Sequence, residues 1–305
     1  MKIDLNGLPA KPVTRFAPSP TGRLHLGHVA NAVWTWGIAA ARGGRVILRI
    51  EDHDRGRSRK QFEASVVEDL AWLGLEAEPR SISSLLTETT SEFRQSDNEA
   101  RYAAALDRLG AASSLYHCGC SRRTIAEAAG PAASGAERRY PGTCRTRNLP
   151  AGPGRGTRVV LPDETVSFED LRHGPVTQYP ARQCGDLLVR DGVGNWTYQY
   201  CVVVDDQAHG VDLVVRGDDL LASTGRQIML GTMLGRRQPP RFLHHPLIMA
   251  PTGQKLSKRD GAPGLDDLRR AGLSPGEVLG MAAKATGLLD RDRPLAPDRL
   301  GELFG

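Results

Sequence analysis

The sequence predicts an α/β protein built on a doubly wound parallel sheet. Three observations predict it. A short β-rich run at residues 13–17 passes through a Pro/Gly-punctuated turn into an alanine-rich helical segment over 29–41, where Val29, Ala32, Val33 and Trp36 share one face. Gly43-Gly44 ends that helix, and a second β-rich run, residues 45–50, follows at once. Strand, crossover helix and strand in that order form the unit from which parallel sheets are built. Further β-rich runs then return at 159–161, 187–190 and 213–216.

The remaining elements follow the same reading. Residues 58–73, 91–109 and 220–234 carry helical periodicity, and 264–304 read as two or three short terminal helices. Residues 111–157 differ: they hold three of the five cysteines, many Gly, Ala and Pro, and little periodicity. The expected organisation is a catalytic domain in two halves, 1–110 and 158–262. A cysteine-bearing insertion at 111–157 interrupts it, and a short helical segment follows at 263–305.

The chain has 305 residues, 40% of them apolar and 25% charged, enough for one large core or two modest ones. No run approaches the roughly 18–20 apolar residues of a membrane span, and the first residues lack the apolar stretch of a secretory leader. A cytoplasmic protein, monomeric and without a membrane partner, is expected. An odd count of cysteines argues against a disulfide framework. The net charge of +5 suits phosphate-rich partners. Only six of the 40 basic residues are lysine, so two of them close together, Lys255 and Lys258, stand out.

Chemistry concentrates at the strand–turn–helix junction. His25 and His28 lie three apart, on one face of a first helical turn, and Gly22 and Gly27 let a ligand approach the backbone. Unpaired N–H groups at such a helix start favour an anion, and neutral imidazoles can donate to phosphate oxygens. Arg15 and Glu51 end the two strands and point at the crevice where open α/β sheets bind ligands. Arginine pairs with a carboxylate in bidentate fashion, and a carboxylate pairs with an amine. A loop with Lys255, Ser257 and Lys258 can supply cations to a triphosphate. The pair Asp205-Asp206 reads as structural rather than metal-binding. Three clustered thiols, Cys118, Cys120 and Cys144, suit zinc, which takes four N, S or O ligands; His117 is adjacent, and the fourth place stays open on the residues alone.

The string RFAPSPTGRLHLGH (residues 15–28) resembles the first signature of class I glutamyl-tRNA synthetases, and KLSKR (255–259) resembles the second, departing from its usual form with Arg259 in place of serine. The resemblance runs through most of residues 13–262. It implies a class I, Rossmann-type catalytic domain that joins L-glutamate to tRNA with ATP and Mg2+. His25, Gly27, His28 and Lys258 would then hold ATP, with His25, His28, Lys255 and Lys258 as the catalytic set. The match of RFAPSPTG and RIEDHD implies Arg15, Phe16, Ala17, Pro18, Ser19 and Glu51 in the glutamate pocket. The stretch NWTYQYCVVVDDQAHGVDLVVRGDD implies Tyr198 and Arg216 there too, without saying which arginine takes which carboxylate. The same family offers a Cys-x-Cys, Tyr-x3-Cys zinc set, here Cys118, Cys120, Tyr140 and Cys144.

Some 40 residues follow Asp260, too few for the helical anticodon-reading domain of ordinary members. That pattern resembles the short members of the family, which transfer glutamate to queuosine in the anticodon of tRNA(Asp). Three other readings are an enzyme charging a tRNA 3′ end, a non-catalytic tRNA-binding paralogue and a small-molecule nucleotidylyltransferase.

Overall fold

A computed structural model describes residues 3–130, 137–249 and 264–305. The first unit is the expected βαβ. Strand β1 (Val13–Phe16) pairs in parallel with β2 (Arg45–Leu48), and α1 (Leu26–Ala41) crosses between them. Helices α2 (Lys60–Leu73) and α3 (Pro79–Thr87) follow. The α1 helix starts three residues before its apolar face begins, because His25 caps it.

The helix expected over 91–109 is shorter. Residues 91–98 form a loop around a 3-10 turn, Gln95–Asp97, and α4 runs only from Glu99 to Ala112. Polar side chains explain the break. Asp97 Oδ2 accepts the Ser91 N–H at 2.9 Å, and Asn98 Nδ2 donates to the carbonyls of Glu92 and Arg94 at 3.0 and 2.8 Å. Such bonds compete with the helical ladder.

The cysteine-bearing region contains more regular structure than its composition suggests. Strand β3 (Leu115–Cys118) and helix α5 (Arg122–Ala129) precede β4 (Gly156–Val159). Next come the hairpin β5 (Val166–Asp170) and β6 (Gly174–Gln178), the short α6 (Pro180–Gln183), and β7 (Leu187–Arg190). β3, β4 and β7 form one antiparallel sheet, so a strand from beyond residue 157 completes this region.

The second half supplies α7 (Tyr198–Ala208), β8 (Leu213–Gly217), a 3-10 turn (Asp218–Ser223), α8 (Thr224–Met233) and β9 (Arg241–His245). The helix expected over 220–234 is thus a 3-10 turn followed by an α-helix. β8 and β9 are parallel, β5 joins β9 in parallel at Asp170, and β6 closes that sheet as an antiparallel edge. The two halves meet where β1 lies beside β8: the Asp212 N–H donates to Val13 O (3.1 Å) and Asp212 Oδ1 accepts the Val13 N–H (2.8 Å). The strands around the crevice are therefore parallel, with antiparallel additions at the margins.

Helices α9 (Leu265–Arg270) and α10 (Pro275–Ala285) and a 3-10 turn, Pro297–Leu303, end the chain. α10 and Leu300 complete the core around α1 and the β1–β2 pair, and Phe304 joins Trp34 and Ile38 of α1 in a second cluster. A Cβ on Gly37 would overlap the Phe304 ring, so α1 and the terminal segment are in close contact. No described helix is long and apolar enough to cross a membrane.

Candidate active site

The β1/β2 ladder extends past both strand ends into the two motifs. Arg49 N–H donates to Phe16 O at 3.0 Å, and Glu51 N–H donates to Pro18 O at 3.1 Å. These bonds set Arg15–Pro18 and Glu51 on one wall of a cleft of about 370 Å³. α1 contributes His25, Gly27 and His28 to the same cleft, and Tyr198 and Arg216 come from α7 and β8. Ser19 is exposed and lies outside that wall. Lys255 and Lys258 lie outside the described residues. The described chain on either side of them reaches this place: Leu247 and Ile248 line the cleft, and Gly264 forms an antiparallel bridge with His25.

The histidine turn is a reciprocal cap. His25 Nδ1 accepts the Gly27 N–H at 3.1 Å, and His28 Nδ1 accepts the His25 N–H at 3.2 Å. Both Nδ1 atoms therefore act as acceptors, which places the ring proton of each neutral imidazole on Nε2, the donor nitrogen. The rings sit 4.0 Å apart, centre to centre.

Two arginines border the cleft in opposite electrostatic states. Arg15 is 4% exposed and its Nε lies 3.1 Å from Asp206 Oδ1. The fully buried Arg49 bridges Asp206 (2.6 Å) and Glu51 (2.9 Å). Burial works against ionising Asp206, but Arg15 and Arg49 outweigh it and hold its carboxyl below the usual range. Asp206 is thus a structural counter-ion. Its neighbour Asp205 accepts from Gln95, Arg101 and Tyr102 at 2.8–2.9 Å.

Arg216 is equally buried, 4% exposed, but its partners are neutral. Nε donates to His244 Nε2 (2.9 Å), NH1 to Gln227 Oε1 (2.6 Å) and NH2 to Thr224 Oγ1 (2.8 Å). Among the described residues no carboxylate stands within ion-pair distance of it. Burial lowers its pKa, opposed by Tyr198 beside it. A buried cation without a counter-ion is costly unless an anion arrives.

Two lining residues carry no sequence signal of their own strength. Asn31, one turn beyond His28 on the same helix face, donates Nδ2 to His245 Nε2 at 3.1 Å. His245 ends β9, and burial pulls its pKa down to about 4.

The second cluster lies in the antiparallel sheet region. The sulfurs of Cys118, Cys120 and Cys144 all lie within 4.8 Å of one another. A tetrahedral zinc with ~2.3 Å bonds to sulfur needs sulfurs about 3.8 Å apart, so the donor set fits with shifts of no more than about 1 Å. The Tyr140 hydroxyl stands 3.4 Å from Cys118 Sγ and accepts the Cys144 N–H at 2.9 Å. His117, the alternative neighbour, alternates to the other face of β3 and borders a separate surface cavity with Leu149 and Thr157. Arg158 stacks on the Tyr140 ring at 3.7 Å. Burial opposes ionisation of Cys118, yet hydrogen bonds from Tyr140 and Arg158 bring its pKa down to about 7. Burial and Cys144 push Cys120 up to about 11. Cys184 and Cys201 are buried elsewhere, as small core residues.

Residues 11–280 match the family model of class I tRNA synthetases (E and Q), catalytic domain. The chain belongs to this family. It is 43% identical over 300 residues to the glutamyl-Q tRNA(Asp) synthetase of Symbiobacterium thermophilum, covering 95% of this chain and 91% of that protein. It is 44% identical over 258 residues to the protein of the same name from Bordetella bronchiseptica, covering 83% of this chain and 77% of that one. Glutamate–tRNA ligase 1 of Acidithiobacillus ferrooxidans is 40% identical over 270 residues, which cover 87% of this chain but 55% of that protein. Among solved structures, the glutamate tRNA ligase from Elizabethkingia meningosepticum in complex with its amino acid superposes with a TM-score of 0.78 at 25% identity. The match covers 97% of this chain and 65% of that one.

Proposed function

We propose that the chain activates L-glutamate with ATP and transfers the glutamyl group to queuosine in the anticodon of tRNA(Asp). The single observation that carries the glutamate assignment is Arg216, a buried guanidinium with neutral partners facing the same cleft as the two imidazoles. It is suited to one carboxylate of the substrate. Arg15 already answers to Asp206, and Glu51, held by Arg49 at the cleft wall, suits the ammonium. Tyr198 closes that pocket beside Arg216.

In the first reaction the glutamate α-carboxylate attacks the α-phosphorus of ATP and pyrophosphate leaves. The Nε2–H donors of His25 and His28 stabilise the charge that builds on phosphate oxygens. Lys258, with Lys255 beside it, is proposed as the main catalytic cation; the described chain on both sides of that segment borders the cleft. Mg2+ bound to ATP would add charge neutralisation on the triphosphate. In the second reaction a hydroxyl of the RNA attacks the mixed anhydride and AMP leaves. Positioning carries most of that step, because the adenylate is already reactive. Cys118, Cys120, Tyr140 and Cys144 would hold a structural zinc that ties the 111–157 region to the sheet.

Queuosine as acceptor is supported by the two relatives named glutamyl-Q tRNA(Asp) synthetase, most of whose length this chain spans. The test is transfer of radiolabelled glutamate to tRNA(Asp) with and without queuosine. Labelling only of the queuosine-bearing tRNA is expected, and equal labelling would point to the 3′ end. Glutamate-dependent exchange of pyrophosphate into ATP, lost at least about a hundredfold in Lys258→Ala, separates an enzyme from a tRNA-binding paralogue.

A further inference from the structure

Behind Arg216 stands a second layer that the glutamate reading does not use. His244, fully buried on β9, receives two donors at Nε2: the Arg216 Nε–H at 2.9 Å and the Thr224 hydroxyl at 3.2 Å. Thr224 in turn accepts from Arg216 at 2.8 Å, which commits its own proton to the imidazole. Nε2 therefore carries no proton, and Nδ1 must. Nδ1 lies 2.7 Å from Asp170 Oδ2. Asp170, 1% exposed, is held by backbone: Oδ2 also accepts the His244 N–H (3.1 Å), and Oδ1 accepts the N–H groups of Arg172 and His173 (3.0 Å each).

We infer that Asp170 and His244 are positioning residues for glutamate binding: the carboxylate fixes the imidazole tautomer, and the imidazole fixes the plane of the Arg216 guanidinium. The inference rests on the assignment of Arg216 to a substrate carboxylate. The contrast with Arg15 gives the reason for so indirect an arrangement. Where a carboxylate touches a guanidinium directly, as Asp206 touches Arg15, it neutralises the cation it orients. With one imidazole interposed, Asp170 orients Arg216 at a ring's distance and leaves the charge available to a ligand. Residues that touch a charged side chain from behind, and not its ligand, commonly set its geometry in this way.

The experiment measures KM for glutamate, KM for ATP and kcat in pyrophosphate exchange, with melting temperature alongside, for Arg216→Lys, His244→Asn, His244→Gln and Asp170→Asn in the full chain. Asparagine places its amide near the Nδ1 position and loses the acceptor for Arg216; glutamine reaches the Nε2 position and restores one. Asp170→Asn keeps the shape but favours the opposite tautomer, which turns an N–H toward the Arg216 donor. The inference expects His244→Asn and Asp170→Asn to raise KM for glutamate about tenfold or more, with kcat and KM for ATP within about threefold, and His244→Gln to recover most of the loss. Equal damage by Asn and Gln at position 244, or parallel losses in kcat and both KM values, would mean a structural role and overturn it. An unchanged glutamate KM in folded His244→Asn would also overturn it. If His244→Asn does not fold, Asp170→Asn decides by the same readouts. Should Arg216→Lys leave the glutamate KM unchanged, the assignment of Arg216 itself fails and the inference falls with it. A rise in Arg216→Lys without one in either second-layer variant sinks the inference alone.

Discussion

A Cβ on Gly27 would lie 2.9 Å from Cε1 of the His25 ring, closer than such atoms approach. The glycine therefore makes room for the imidazole that caps its own helix. Alanine is the better helix former by up to about 1 kcal/mol, but turning His25 away gives up a cap of similar worth, so Gly27→Ala should change the melting temperature little. Exchange of pyrophosphate into ATP should nevertheless fall about tenfold or more, because the His25 ring must turn away. Unchanged exchange would show that the ring position does not matter.

Asp206 has two guanidinium partners in the interior, and its loss leaves Arg15 without a counter-ion and Arg49 with Glu51 alone. Breaking a buried ion pair from one side typically costs about 3–5 kcal/mol. Asp206→Asn should therefore lower unfolding free energy by about that amount in a urea titration. A loss under about 1 kcal/mol would show that Arg15 and Arg49 find water or other partners.

Three buried histidines set the acid limit. Burial lowers the pKa of His209 and His245 to about 4 and also lowers that of His244. The unfolded chain has ordinary imidazoles near 6.5, so between that value and about 4 it binds more protons than the fold, and stability drops as pH falls. At pH 5 each imidazole with a folded pKa of about 4 contributes a loss of about 2 kcal/mol. Asp69 acts in the other direction, since burial raises its carboxyl to about 6 and its neutral form favours the fold at low pH. The three imidazoles outweigh the raised carboxyls of Asp69 and Asp52, which predicts a melting temperature lower at pH 5 than at pH 7. A flat profile across 5–7 would contradict the buried neutral imidazoles.

Metal analysis of protein purified without chelator should give about one zinc per chain, lost in Cys144→Ser. Tyr140→Phe should weaken retention against a chelator rather than abolish it, since three thiolates remain. Metal-free wild-type protein would remove zinc from the reading.

Much of the crevice was legible in the sequence because strand ends announce themselves. The β-rich runs before Arg15 and Glu51 and the glycine-rich turn before α1 gave three walls of the cleft. The sequence places the start of α1 three residues late because histidine is not a usual capping residue, and only the folded geometry puts Nδ1 in that role. Helix α7 left no periodic trace: seven consecutive residues, Tyr200 to Asp206, are buried, so it has no polar face to alternate with. Strand β9 ends in two histidines, residues with little β signal, and the sequence reading assigns no element there. Least legible was charge pairing. Arg15 and Arg216 look equivalent as letters, and only the approach of Asp206, 191 residues from Arg15, separates them.

The contact of Phe304 with Gly37 has a consequence for how ligand occupancy can be read from afar. α1 spans about 24 Å, with the imidazoles at one end and the terminal turn pressed against its later turns. A stiff rod loaded at its tip passes the load to its seat. Slowed amide exchange in residues 300–304 when ATP and glutamate are added would therefore serve as a remote gauge of a filled cleft, read from a stretch of chain outside the cleft lining.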